Sequence, residues 1–206
     1  MPTGAATCGR PSYTMDDIWY MFYTAGRNGA ICIFSVHSCL RICLSALRYV
    51  RSNISIGGVD PFSTYTYHAQ LTTTWGIDGS IVRFSTWGNY FVWSCTSGSL
   101  QSFCITPMTA PGKLGAINVI STPTYSWEKN GSPVMEGPAA MYHGGKTYIT
   151  YSASFCWTPN YSLGLLTWNG SGDPALSASW KKTGPVFTSA NSNYGPGHNG
   201  YVTCSH

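Results

Sequence analysis

Among 206 residues only seven are acidic, and two of those occupy matching places in a repeat. Asp78, in "GIDGSIV", lies 15 residues before Trp93, and Glu136, in "MEGPAAM", lies 15 residues before Tyr151. A further unit opening "GHNGYVT" puts His198 in the same place, so the steps are 58 and then 62 residues. Two carboxylates held across a pocket suit acid–base cleavage of a glycosidic bond. One protonates the leaving oxygen while the other activates water, at a separation of roughly 6.5–9.5 Å when configuration inverts. The plainer reading is that these residues cap turns, as Asp often does. Glutamate is a poor turn former, and Glu136 sits between Met135 and the turn-forming Gly137-Pro138, ahead of an apolar strand. A single histidine is more often a hydrogen-bonding core residue than a ligand.

Hairpins must position these groups. The segments "DDIWYMFYTAG", "WGNYFVWSCTSG" and "GGKTYITYSAS" each carry a two-residue turn, an aromatic-rich strand and a small-residue exit. An alternating strand precedes each turn, in "RPSYTM", "SIVRFST" and "AAMYH", and further strands follow in "LQSFCITPM" and "LGLLTWN". Several antiparallel strands in units of about 60 residues predict an all-β fold of propeller blades. In a propeller the first strand of each blade lines the central channel. Equivalent positions at its start therefore converge, which brings Asp78, Glu136 and His198 to one pocket.

Composition agrees. Charged residues are 9% and aromatics 15% of the chain, with 23 glycines and 12 prolines. Such low charge with frequent turns fits an all-β protein, and aromatic-rich, weakly charged surfaces suit neutral ligands such as sugars. A net charge of +4 without a dense Lys/Arg run argues against nucleic acid as a partner. The stretch Ile31 to Asn53 stands apart, with three of the eight cysteines and no acid, Gly, Pro or Trp. His37, Arg41 and Arg48 interrupt it, so it is not a membrane span. It reads as an anomalous insert over about residues 27–57, poorly packed and adding no regular strand, or as a segment foreign to the ancestral fold. No C-x-x-C pair is present, which argues against zinc, and spacing leaves any disulfide pairing open. Sequons at Asn53, Asn130, Asn160 and Asn169 hint at secretion, yet "PTGAATCGRP" after Met1 has no signal-peptide character.

The motifs "WGIDGSIVRF", "PTYSWEKNGSPVMEGP", "YSASFCWTPNYSLGLLTW" and "YGPGHNG" together closely resemble glycoside hydrolase family 43, of the α-L-arabinofuranosidase and arabinanase type. The resemblance runs from about Thr64 to Tyr201, with a weaker match over Ser12 to Gly26. It implies a five-bladed β-propeller and an inverting hydrolase of arabinose-containing plant polysaccharides, secreted, with no membrane partner. It further implies that Glu136 is the general acid of the E-G-P motif and that Asp78 tunes and orients that acid. No cofactor is required, although His198 would help hold a calcium or sodium ion, often through water. Trp75, Trp157 and Tyr194 are candidate sugar-stacking residues by proximity to the motifs, against the alternative of blade packing. Trp93 is expected to be packing.

The general base of the family, an aspartate early in the first blade, finds no match. The register position of the first visible hairpin holds Cys8, 15 residues before Tyr23, while Asp16 and Asp17 fall at its turn. Asp60 lies in a linking segment, "GGVDPFSTYTY". The expectation is therefore one partial propeller domain over residues 1–206, lacking the first blade and most of the last. Such a chain is an enzyme impaired as written. The rivals are a catalytically dead carbohydrate-binding remnant and a gene-model fragment.

Overall fold

The computed structural model describes residues 8–15, 17–26, 50–60, 62 and 64–200. The chain divides into two units, Met1–Gly79 with Met108–Leu114, and Ser80–Pro107 with Gly115–His206. Every named element among the described residues is a strand or a short 3₁₀ turn, as the hairpin pattern predicts.

The first unit carries an antiparallel sheet in the order β1 (Cys8–Met15), β2 (Ile18–Gly26), β3 (Val50–Ile56), β4 (Thr66–Gln70). The β1–β2 ladder closes on the pair Met15 and Ile18, with Asp17 at φ 59°. Asp16 lies outside the described residues. The register shifts between Pro11 and Tyr13, as expected where a proline cannot donate to the ladder. Tyr20, Phe22 and Thr24 alternate into the interior of β2, and Ser52 and Ile54 do so in β3.

This corrects the reading of the insert. Its last residues, Val50 to Ile56, form a blade strand paired with β2 on one side and β4 on the other. The two-residue alternation in "VRSNISI" was the strand signal, and the Cys- and Arg-rich stretch before it masked that signal. Residues 27–49, which hold the rest of the stretch, lie outside the described residues.

The second sheet runs β5 (Gly76–Phe84), β6 (Gly88–Ser97), β7 (Leu100–Ala110), β8 (Lys113–Leu114), and β9 (Asn118–Ser121) also pairs with β7. The chain enters the second unit within β5 and leaves it for residues 108–114, where β8 pairs the end of β7. A disulfide, Cys95–Cys104, links β6 to β7. The third sheet, wholly in the second unit, is β10 (Met135–His143), β11 (Lys146–Ala153), β12 (Ser162–Trp168), β13 (Trp180–Phe187), antiparallel throughout. Its first hairpin turns on Gly144 and Gly145 at φ 56° and 72°, the left-handed pair that a two-residue turn of this kind requires.

Inward residues of the second unit form one core that includes Phe84, Tyr90, Phe103, Ile105, Met135, Ile149, Tyr151, Leu166 and Trp180. Phe84 meets Tyr90 and Trp168 edge-on at 5.4 and 5.0 Å, and Phe103 meets Tyr151 at 5.6 Å. Trp93 is buried and stacks on Phe91 at 5.0 Å, the packing role expected of it.

Candidate active site

Glu136 is the second residue of β10 and pairs with Ser152 of β11. Met135 before it is fully buried, and its carbonyl accepts a hydrogen bond from Ser94 Oγ at 2.7 Å. After it the ladder is irregular up to Ala139, where Gly137 takes φ 60° and Pro138 has no N–H to give. The anchored methionine and the broken ladder hold a half-buried carboxylate at the strand's start. Tyr161 donates its hydroxyl to Oε1 at 2.7 Å, and Gln101 donates its side-chain amide to Oε2 at 3.3 Å. The same amide nitrogen also donates to Ser94 Oγ at 3.0 Å.

His198 is brought to the same place by a different device. The register reading expected it at the start of an inner strand. No strand is formed over 194–200, and this segment is fixed instead by side chains of β11. The backbone N–H of His198 donates to Ser152 Oγ at 2.6 Å, and the Asn199 amide donates to Thr150 Oγ1 at 2.8 Å. Since Ser152 is the ladder partner of Glu136, the histidine and the glutamate share a neighbour. The imidazole closes on Gly137, where an added Cβ would lie 3.3 Å from Nδ1. Gly197 is pressed against the ring of Tyr161 with no room for a side chain. Gly137 is thus demanded where the "EGP" and "GPGH" motifs meet, and Gly197 where the second of them crosses Tyr161.

Trp157 and Tyr194 are exposed and line one open depression of about 510 Å³ with Cys156, Thr158, Pro159 and Gly195. The two segments that wall it run on directly to Tyr161 and to His198. Asp78 and Trp75 belong to the first unit, both half-buried, with Asp78 at φ 56°. Among the described residues no group of three or more His, Cys, Asp or Glu could hold a metal.

The chain has one other glutamate, which sequence reasoning passed over. Glu128, in a 3₁₀ turn (Ser126–Lys129), is fully buried. Its Oε2 accepts from the backbone N–H groups of Thr124 and Tyr125 at 2.7 Å each and from Lys182 Nζ at 2.8 Å, and its Oε1 accepts from Tyr151 at 2.8 Å. Lys182 also donates to Thr122 O and Thr124 Oγ1 and lies 4.7 Å over the Tyr125 ring. Burial, reinforced by the Glu128 carboxylate, holds the Tyr151 phenol well above its ordinary value. A carboxylate so saturated and enclosed cannot reach a substrate. Glu136, by contrast, is half-buried at the start of β10. Two of the aspartates considered for the base, Asp17 and Asp60, lie among the described residues and are exposed. Asp60 accepts from the N–H of Phe62 at 2.8 Å in its own loop, and Asp17 is exposed at its hairpin turn.

Gln101 and Tyr161, which hold Glu136, were missed in the sequence. Neutral donors on other strands carry no charge or spacing signal.

The profile of the glycosyl hydrolases family 43 matches residues 11–206, and the chain belongs to that family. It is 34% identical over 195 residues to an extracellular exo-α-(1→5)-L-arabinofuranosidase of Streptomyces avermitilis, covering 91% of this chain and 38% of the relative. It is 38% identical over 121 residues to α-L-arabinofuranosidase 43 of Humicola insolens, covering 55% of this chain and 25% of the relative. A crystal structure of an α-L-arabinofuranosidase from Lactobacillus brevis superposes with a TM-score of 0.79 at 26% identity, over 97% of this chain and 63% of that one. The chain thus spans well under half the length of these two curated relatives.

Proposed function

We propose that this chain is an inverting glycoside hydrolase acting on arabinose-containing plant polysaccharides, outside the cell, with Glu136 as general acid. The observation that carries the reading is the placement of Glu136. It is a half-buried carboxylate held on both oxygens by uncharged donors, joined through Tyr161 to the segment that walls an aromatic depression. Membership of the family and the names of the relatives support the substrate class. In this reading the fold is part of a five-bladed propeller, and Asp78 tunes and orients the acid. Glu136 gives its proton to the glycosidic oxygen as the bond to the anomeric carbon breaks, while water attacks the opposite face. Trp157 and Tyr194 offer apolar faces to the sugar. A calcium or sodium ion held near His198, through water, belongs to the same reading.

The general base has no assigned residue, and Cys8 stands at the register position of the first hairpin. The 206-residue chain by itself is therefore proposed to turn over far more slowly than a full-length relative. The test is arabinose release from arabinan and from an aryl α-L-arabinofuranoside. Glu136→Gln is expected to lower turnover of arabinan by about 10²–10⁴-fold, with a much smaller loss on an aryl substrate whose leaving group needs no proton. Equal losses on both substrates would remove Glu136 from the acid's role. The position of Cys8 favours a second reading, sugar binding without turnover. Calorimetric binding of arabino-oligosaccharides with no release of arabinose supports it over the first.

A further inference from the structure

Four Asn-x-Ser sequons, at Asn53, Asn130, Asn160 and Asn169, have no part in the proposed hydrolysis. In such a triplet the amide nitrogen of asparagine takes an oligosaccharide, provided that it and the hydroxyl two residues on are reachable at a surface. The four differ in this respect. At Asn130, half-buried, Nδ2 is the atom that would carry sugar, and it donates instead to the carbonyl of Trp127 at 3.3 Å. Its backbone N–H is bound to Ser154 Oγ at 2.9 Å. Asn53 stands inside β3, laddered to Tyr23 of β2 and to Gln70 of β4. Asn160 is exposed, but its serine is not. Ser162 is buried at the start of β12, and its Oγ turns back on the carbonyl of Asn160 at 2.9 Å. Asn169 follows the end of β12, in the connection to β13, and both it and Ser171 are exposed. Its Oδ1 accepts the backbone N–H of Ser171 at 3.1 Å and of Gly172 at 2.8 Å, the local turn that an asparagine side chain makes with the backbone two residues on. The turn uses the oxygen of the amide, not the nitrogen, and holds the sequon serine against the group to be modified. Two glycines leave room: Gly170, at φ 92°, borders open space, and a Cβ on Gly172 would lie 2.9 Å from Nδ2. Both bonds of the turn are local, so a nascent chain can form them before the rest of the fold.

Resting on the reading that the chain works outside the cell, we infer that Asn169 is its acceptor for N-linked glycosylation, from a lipid-pyrophosphate-linked oligosaccharide. A bond forms between Nδ2 and the anomeric carbon of the oligosaccharide as the bond from that carbon to the pyrophosphate oxygen breaks. The pyrophosphate leaves with the bonding pair, and the amide gives up one proton. Strand β12, seven residues long, puts roughly 20 Å between this turn and Tyr161, which meets Glu136. A glycan on Asn169 therefore stands clear of the depression at Trp157 and Tyr194. One on Asn160 would stand beside Pro159, in its wall.

The test expresses the full 206-residue chain behind a cleavable secretory leader in yeast, which supplies that donor. Glycan is read as a gel shift removed by an N-glycanase, in the medium and in the cell extract. The extract reports modification even of a variant that folds too poorly to leave the cell. One shift is expected in the parent chain. It is expected to vanish in Asn169→Gln and in Ser171→Ala, and to persist in Ser171→Thr, Asn130→Gln and Asn160→Gln. Peptide mapping after the N-glycanase, which leaves Asp where a glycosylated Asn stood, is expected to find the change at position 169. A parent chain without a shift, or a shift that survives Asn169→Gln, overturns the assignment. Asn169→Gln is expected to release arabinose and bind arabino-oligosaccharides as the parent does, so sugar release judges the hydrolase reading and the shift judges the acceptor. Absence of the protein from its natural host's medium counts against export alone, because the yeast leader supplies export in the test.

Discussion

Two glutamates in one chain have opposite fates, and their partners decide which. Glu128 is enclosed with a lysine, two backbone donors and a phenol, so its carboxylate is committed to structure. Replacing Lys182 by Met leaves that buried charge without its counterion. The expected cost is about 3–5 kcal/mol, read as a lowered urea midpoint. Glu136 is half-buried at the start of its strand, where Tyr161 and Gln101 each donate to one of its oxygens. Only part of this was legible beforehand. Glu136 announced itself by sitting where glutamate is a poor local fit and in register with Asp78. Gln101 and Tyr161 gave no such signal, because a neutral donor at a distant position looks like any strand residue. Glu128 was hidden for the opposite reason: a charged residue in a polar turn reads as solvated unless its lysine, 54 residues away, is known.

At the scale of elements, β11 is the strand on which most depends. One edge of its ladder carries Ser152 beside Glu136, Thr150 holds Asn199, and Tyr151 reaches Glu128 from the core. The Tyr151 phenol is held above its ordinary value of 10.0. Below that pH both folded and unfolded chains keep the proton. Above it the unfolded chain loses the proton and the folded chain does not, so stability falls as pH rises, by about 1.4 kcal/mol per unit for this one group. Unfolding measured from pH 9 to 11 is expected to show a shallower decline in Tyr151→Phe than in the parent chain. The aromatic strands β2, β6 and β11 and their turns were readable because alternation and two-residue turns are local. Strand β3 was not, since three cysteines and three arginines upstream outweighed a seven-residue alternation. The segment holding His198 was expected to be a strand and is instead tethered by two side-chain bonds, which no periodicity encodes.

At the scale of the molecule, the family assignment rests on motifs scattered over most of the chain, and this is why it could be made from sequence. The shape of the binding surface could not, because it depends on where segments 156–159 and 194–195 end up. They bring Trp157 and Tyr194 to one depression, with 50% and 73% of their surfaces exposed. Residues so exposed contribute little to folding. Trp157→Ala and Tyr194→Ala are each expected to weaken arabino-oligosaccharide binding severalfold while leaving the thermal midpoint within about 1 °C of the parent, the small effect usual for surface changes. A matching fall in the midpoint would mark them as packing residues instead.

The excursion of residues 108–114 has a consequence for how the chain is made. The first unit is not contiguous: it needs these seven residues as well as everything up to Gly79. Within it, the Pro111 carbonyl accepts a hydrogen bond from His68 Nε2 at 3.1 Å, and Gly112 lies against Ala69. A nascent chain that has emerged only to Gly79 therefore lacks a piece of its own first unit. It must wait for another 35 residues, from 80 to 114, which is roughly 2–7 s of translation. During that interval β4 is without the Pro111 carbonyl and the Gly112 backbone that His68 and Ala69 meet in the finished unit.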